Sequence, residues 1–201
     1  MKSAKPAVTK LTVTKPTVTK PRAPETLETP RLLLRAPQLT DAPHLYAAVR
    51  ESLAELSPFM IWATPEYSLL GCRANTRAAI DLFKTGKGLR YHFFDRTTGE
   101  FVGNASFHHI DWNVPKLELG YWLRTSRTGE GLMREGVRAL ADMAERELRA
   151  ARLEIRCDDR NLKSVRVAEG CGFRLESVMR HESRDPQGQL RDTRIYARIA
   201  K

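Results

Sequence analysis

The stretch with the clearest chemical meaning is Arg127-Thr128-Gly129-Glu130-Gly131-Leu132-Met133, which falls where a strand-like pattern ends and a long helical pattern begins. Its glycines let the backbone curl so that several amide N–H groups converge, and the helix N-terminus adds a favourable dipole. The segment therefore suits an anion such as a pyrophosphate. The same residues taken alone also describe a tight turn. A dinucleotide site matches less well, because the full Gly-x-Gly-x-x-Gly spacing fails and the preceding strands read as a meander. Cys72, Cys157 and Cys171 are odd in number and widely spaced, which fits reduced, partly buried thiols rather than a disulfide framework. The five histidines show no ligand spacing: His108 and His109 are adjacent and would face opposite sides of a strand, so no metal site is expected.

Elements that would position the glycine loop follow from residue 25 onward, where strand and helix signals alternate. Residues 31–36 read as a strand. Thr40 or Asp41 caps a helix with Pro43 in its first turn and Leu45, Val49, Leu53 and Leu56 as its apolar stripe. A second helix covers 69–84 and ends near Gly86 and Gly88. Strands at 89–95, 101–110 and 117–124 are joined by short connections, one of them the Thr98-Gly99 turn. A long helix then presents Leu132, Met133, Val137, Leu140, Met143, Ala144 and Leu148 on or near one face. A strand at 153–157, a short helix at 161–169 closed at Gly172, and strands at 175–181 and 193–199 complete the chain. The expected fold is mixed α/β (α+β): a central, mostly antiparallel twisted sheet of about seven strands with helices on both faces.

Length and composition set outer bounds. The 201 residues suit one domain with an appendage, and 41% apolar content is enough for a sizeable core. Net charge is +10, but residues 1–24 hold six Lys or Arg and no acidic residue, leaving +4 on residues 25–201. That weakens a nucleic-acid role for the domain itself. In the tail, Val8-Thr9-Lys10, Val13-Thr14-Lys15 and Val18-Thr19-Lys20 repeat among prolines, a composition that cannot offset its ordering entropy. Residues 1–24 are read as a solvated basic extension, with weak contact to RNA or the ribosome as the functional alternative, and residues 25–201 as the domain. No run approaches a membrane span and no secretory signal is seen, so a cytoplasmic location without membrane association is expected.

Several motifs in order, over about residues 25–200, resemble the GNAT acetyltransferases, and among them the RimJ/RimL type that acetylates the amino termini of ribosomal proteins. They are Glu28-Thr29-Pro30-Arg31-Leu32-Leu33-Leu34-Arg35, Val102-Gly103, Glu118-Leu119-Gly120-Tyr121-Trp122-Leu123, and Gly129-Glu130-Gly131-Leu132-Met133-Arg134-Glu135. Asn161-Leu162-Lys163-Ser164, Gly172-Phe173 and Ile195-Tyr196-Ala197-Arg198-Ile199 continue the series. The resemblance implies acetyl-CoA as cofactor, no metal, and a strand before the glycine loop that splays from its neighbour to admit the pantetheine. Backbone groups of Trp122, Leu123 and Arg124 would hold that arm. Thr128, Gly129, Glu130, Gly131, Leu132 and Met133 would hold the pyrophosphate, and Asn161 would contact the cofactor from the far side. The family usually carries Arg or Gln at the place of Thr128 and a small residue at that of Met133; Arg127 is the adjacent charge. Ala168 stands where many members keep a tyrosine as general acid.

Acetyl transfer needs a neutral amine, a polarised thioester carbonyl and a proton for the departing thiolate. An α-amino group, with an ordinary pKa of about 7.7–8.0 against about 10.4 for lysine, asks only for a modest base. The resemblance points to Ser164 as proton donor to the sulfur and to Glu118 or Glu182 as base, with a backbone N–H near Leu123 meeting the oxyanion. Trp112, Trp122 and Tyr121 are candidates for an acceptor pocket, Trp112 above all because its stretch reads as a loop. The leading expectation is acetylation of a protein N-terminus. A small-molecule amine, antibiotic or polyamine, is the alternative, and a non-catalytic acyl-CoA-binding protein the reading from another class. Segments 56–70 and 107–116 would separate the acceptors. Either a monomer or a homodimer is compatible with the pattern.

Overall fold

A computed structural model describes residues 20–200. The chain runs β1 (Thr26–Glu28), β2 (Leu32–Arg35), α1 (Ala42–Glu51), α2 (Leu53–Leu56), α3 (Leu69–Thr85), β3 (Leu89–Asp95), β4 (Phe101–Asp111) and β5 (Lys116–Leu123). It continues through α4 (Leu132–Arg146), β6 (Arg152–Asp158), α5 (Leu162–Gly170), β7 (Arg174–Arg184) and β8 (Leu190–Ile199), with 3-10 turns at Leu39–Asp41 and Thr125–Arg127. The strands form one sheet in the order β1-β2-β3-β4-β5-β6-β8-β7. Every neighbouring pair is antiparallel except β5 and β6. The sheet thus has eight strands where the sequence suggested about seven; the addition is the three-residue β1, too short to leave an alternating pattern.

Helices lie on both faces, each covering its own core. On one side α4 sends Leu132, Val137, Leu140 and Met143 into a cluster with Leu34, Phe93, Phe107, Leu119 and Ile155. On the other, Leu45, Ala48 and Val49 of α1 meet Phe94, Phe101 and Trp122. Close approach of α4 to the sheet depends on Gly136, where an added Cβ would stand 2.3 Å from the Phe93 ring. Helix boundaries follow local chemistry: the Ser68 hydroxyl caps α3 by accepting from the Gly71 amide at 3.1 Å, and Gly86 ends it at φ 63°. The helix predicted to run from the Thr40 or Asp41 cap through Leu56 is interrupted at Ser52, whose hydroxyl accepts a hydrogen bond from the Thr125 amide at 2.9 Å.

Residues 23 and 24 belong with the domain rather than the tail: Ala23 is buried, and the Pro24 carbonyl accepts from the Tyr91 hydroxyl at 2.6 Å. The reading of the basic tail over 1–19 lies outside the described residues. Among the described residues no helix is long and apolar enough to cross a membrane.

One buried polar group ties α1 to the sheet. Asp41, 2% exposed, accepts from the Arg35 guanidinium at 2.5 and 2.9 Å and from the Gln38 amide at 2.8 Å, and its Oδ2 lies 2.8 Å from Nδ1 of buried His92. Burial alone would raise its pKa, but the His92, Arg35 and Gln38 hydrogen bonds outweigh that and hold the carboxyl well below its ordinary range. Burial lowers the pKa of His92, so the ring is neutral, with Nδ1–H donating to Asp41. Its Nε2 is the one buried side-chain atom without a partner among the described residues. Removing the carboxylate strands the Arg35 charge, so Asp41→Ala should cost about 3–5 kcal/mol in denaturant unfolding at pH 7. A depressed carboxyl stabilises only above its unfolded pKa of about 3.9 and loses that contribution as pH falls further, so the gap between variant and parent should narrow below about pH 4.

Candidate active site

The site begins where two strands part. Parallel β5 and β6 pair only at Lys116↔Arg152, Leu117↔Leu153 and Glu118↔Glu154. Past that point β5 stays paired to β4 as far as Gly103↔Leu123, and β6 stays paired to β8 as far as Asp158↔Thr193, but not to each other. A wedge therefore opens in the middle of the sheet with Glu118 at its apex. The β5 edge along it, which includes Trp122 and Leu123, is free to hydrogen-bond an extended guest as a missing strand would. Arg124 is less available: its amide donates to the Val102 carbonyl at 2.8 Å, its carbonyl accepts from the Arg127 amide, and its guanidinium bonds Glu51 and Glu100.

At the mouth of the wedge the chain turns through Thr125–Arg127 into α4. Gly129 and Gly131 take φ of 86° and 78°, a left-handed region that favours glycine. Among the described residues, the amides of Gly129, Glu130, Gly131, Leu132, Met133 and Arg134 find no acceptor. Leu132 and Met133 bury their side chains, so what they offer a ligand is backbone N–H. Thr128 turns its hydroxyl back onto the Thr125 carbonyl at 2.8 Å. The expectation that Arg127 supplies a free charge is corrected: its guanidinium is bound by Glu130 at 2.9 Å, Asp95 at 2.8 Å and Glu100 at 2.8 Å, and clamps the loop to the β3–β4 turn. Arg134, to which the sequence assigned no role, runs between Gly131 and Gly170 and makes no ion pair among the described residues. Unpaired amides and the Arg134 guanidinium thus stand together at the start of α4, an arrangement that suits an anion.

Across the wedge, Asn161 caps α5 by accepting from the Ser164 amide at 3.1 Å. The Ser164 hydroxyl lies 3.1 Å from the Tyr121 hydroxyl of β5, and Cys157 of β6 lies beside it. Burial raises the Tyr121 pKa far more than the Ser164 contact lowers it, so the phenol stays protonated. Sequence reasoning treated Tyr121 as a pocket aromatic and did not pair it with Ser164, since 43 residues separate them. Ala168, at the place of the family tyrosine, is fully buried.

On the face covered by α1 and α3, the cross-strand pairs His108↔Glu118, Ser106↔Gly120 and Asn104↔Trp122 form a row. Glu118 accepts at both oxygens, from His108 Nε2 at 3.1 Å and His109 Nδ1 at 2.9 Å. Burial would raise its pKa, but the two imidazoles bring it down to about 2. Here alternation misled: His109 adopts φ 47° at a bulge in β4, which turns its ring to the same carboxylate as His108. The three candidate ligand atoms of His108, His109 and Glu118 lie within 4.8 Å of one another. Glu182 sits on the edge strand β7, its oxygens taken by Arg156 at 2.6 Å and Thr193 at 3.0 Å, and no contact joins it to Glu118 or Ser164. Trp112 is core rather than pocket, buried with its Nε1–H donating to the Gly86 carbonyl. The aromatic that does stand over the site is Trp62, 42% exposed and 6.0 Å from Trp122 between ring centroids.

An anion loop at the end of a splayed strand, with a hydroxyl pair on one side of the gap and a carboxylate on the other, describes an enzyme that threads an acyl-CoA through its sheet. Residues 31–174 match the acetyltransferase (GNAT) domain family. The chain belongs to that family and is an acetyl-CoA-dependent N-acetyltransferase. It is 27% identical over 177 residues to "Uncharacterized N-acetyltransferase p20" of Bacillus licheniformis, covering 88% of this chain and 97% of that one. It is 26% identical over 155 residues to the ribosomal-protein-serine acetyltransferase of Escherichia coli, covering 77% and 85%. Among solved structures it resembles RimL, the ribosomal L7/L12 α-N-protein acetyltransferase in complex with coenzyme A, with TM-score 0.82, 29% identity, and coverage of 88% and 98%.

If the loop amides carry the phosphates, a side chain that resists left-handed backbone should weaken binding without unfolding the domain. Gly131→Val, at about 1–2 kcal/mol of backbone strain, should raise the Kd for coenzyme A about tenfold in calorimetry, with the far-UV spectrum unchanged.

Proposed function

We propose that the chain acetylates the N-terminal α-amine of a protein, an acceptor of the ribosomal-protein kind, by direct attack of the amine on the acetyl-CoA thioester. What carries the reading is the placement of the reacting groups on opposite faces of one gap. The Ser164–Tyr121 hydroxyl pair lies where a thiol entering from the α4–α5 side would arrive, and Glu118 lies at the apex on the face where an amine would enter. Likeness over most of its length to an α-N-protein acetyltransferase supports the acceptor class.

In this reading the pantetheine lies along the Trp122–Leu123 edge, the pyrophosphate on the amides of 129–134 rather than on that of Thr128, which donates to the Thr125 carbonyl, and Asn161 contacts the cofactor from α5. An amide of the β5 edge near Leu123 meets the developing oxyanion. Ser164, hydrogen-bonded to the protonated phenol of Tyr121, donates to the departing thiolate, and the pair takes the place of the absent family tyrosine. Of the two carboxylates, Glu118 is the one at the gap; Glu182 is held by Arg156 and Thr193. Trp62, Tyr67 and Trp122 wall the acceptor side.

The test is thiol release from acetyl-CoA with peptides bearing a free α-amine, the same peptides with that amine blocked, and small amines. Turnover confined to the free α-amine is expected, and acetylation of small amines alone would sink the protein-acceptor reading. Ser164→Ala should lower kcat about 10–100-fold while leaving coenzyme A affinity unchanged.

A further inference from the structure

We infer that His109, oriented by Glu118, is the group that takes the proton from the attacking amine. This assignment rests on the amine-acetylating reading above and changes the part played by the carboxylate: Glu118 becomes a positioning residue.

Both oxygens of Glu118 are occupied by imidazole nitrogens. A carboxylate drawn down to about 2 by those neighbours has little affinity for an ammonium proton. His108 offers nothing better. Its Nε2 faces Glu118 Oε1 at 3.1 Å and its Nδ1 faces the Ser106 carbonyl at 3.2 Å. With an acceptor before each nitrogen the ring is held as a double donor, and Glu118 raises its pKa accordingly. The seat for that ring is Gly120, where an added Cβ would stand 3.0 Å from His108 Cε1.

His109 is built differently. Its Nδ1 lies 2.9 Å from Glu118 Oε2, while Nε2 has no partner among the described residues and the side chain is 76% exposed. With Nδ1–H donating to the carboxylate, Nε2 presents its lone pair outward. This is the carboxylate–imidazole relation by which acyl-transfer triads fix the tautomer of a base and stabilise the imidazolium it becomes. The backbone holds the arrangement at a cost. A non-glycine residue at φ 47° is uncommon, and without that turn His109 would project from the opposite face of the sheet. The other charged groups near the cluster are Arg90, which lies on β3 in register with Ser106 and donates to Asn75; Glu154, the cross-strand partner of Glu118, which is held by Arg152; and Asp111 and Lys116, cross-strand partners just beyond the bulge.

The step balances without a further reagent. The amine nitrogen attacks the carbonyl carbon and forms the C–N bond, and its proton passes to His109 Nε2. Collapse breaks the C–S bond, and the thiolate takes its proton from the Ser164–Tyr121 pair. Both sites exchange protons with solvent before the next turnover.

Asparagine tolerates left-handed backbone, so His109→Asn removes the base while keeping the bulge. Assayed on a free-α-amine peptide and on a small primary amine, this variant should lose about 100-fold in kcat with an unchanged KM for acetyl-CoA. In the acidic limb of its kcat/KM pH profile only the ionisation of the α-amine should remain where the parent shows one more, and added imidazole should restore part of the rate. Long-range proton–nitrogen NMR of the parent should show the Nδ1–H tautomer of His109, lost in Glu118→Gln. Retention of both kcat and the parent's additional ionisation by His109→Asn, with Glu118→Gln impaired, would overturn the assignment in favour of the carboxylate. Activity abolished by a chelator and restored by zinc would overturn it in favour of a metal held by the same three side chains. Turnover of the small amine but not the peptide would sink the protein-acceptor reading and still let the pH limb decide the role of His109.

Discussion

The structure hangs on three pairs of residues. Lys116, Leu117 and Glu118 are the only part of β5 that meets β6, and the parallel ladder ends there. A sheet that continued pairing to Leu123 would satisfy its own backbone and leave no slot; one that never paired would fall into two halves, since β6, β8 and β7 reach the rest of the sheet only through this seam. Stopping after Glu118 leaves a row of unpaired backbone groups whose natural partner is an extended amide-bearing chain, which is what pantetheine is. On one face of the sheet the two halves carry different helices, α4 packing on β2, β4 and β5 and α5 on β6 and β7.

Electrostatics at the loop run against first appearance. Arg127 reads in the sequence as the charge beside the loop, yet it and its neighbour Arg124 are neutralised by Glu51, Glu100, Asp95 and Glu130. Their service is mechanical: they pin the turn so that the amides after it point one way. What remains at the loop to attract an anion is a set of unpaired N–H dipoles and Arg134, groups already in place and needing little reorganisation.

How much of this could be read in advance depends on whether the cause is local. The glycine loop, the end of α3 at Gly86, the long amphipathic α4 and most strands follow from neighbours within a few positions, and the sequence shows them plainly. The parallel seam, the Tyr121–Ser164 contact and the ion pairs of Arg127 join residues tens of positions apart and leave no periodic trace. The two histidines are the instructive failure. Strand alternation sends them to opposite faces, and only the bulge, invisible in the residue types, brings both to Glu118. Trp112 erred the other way: a loop-like setting suggested exposure, while its indole nitrogen had found the Gly86 carbonyl and the ring had gone into the core.

The break between α1 and α2 does more than bend a helix. Around it, the Ser52 hydroxyl holds the Thr125 amide, Glu51 holds the Ser126 amide and the Arg124 guanidinium, and Glu55 holds the Thr125 hydroxyl. The wall carrying Trp62 springs from the end of α2, so the floor beneath the phosphates and the wall facing the amine are parts of one clasp. Floor and wall are thereby fixed relative to each other by side chains of one helical break rather than by the sheet beneath them.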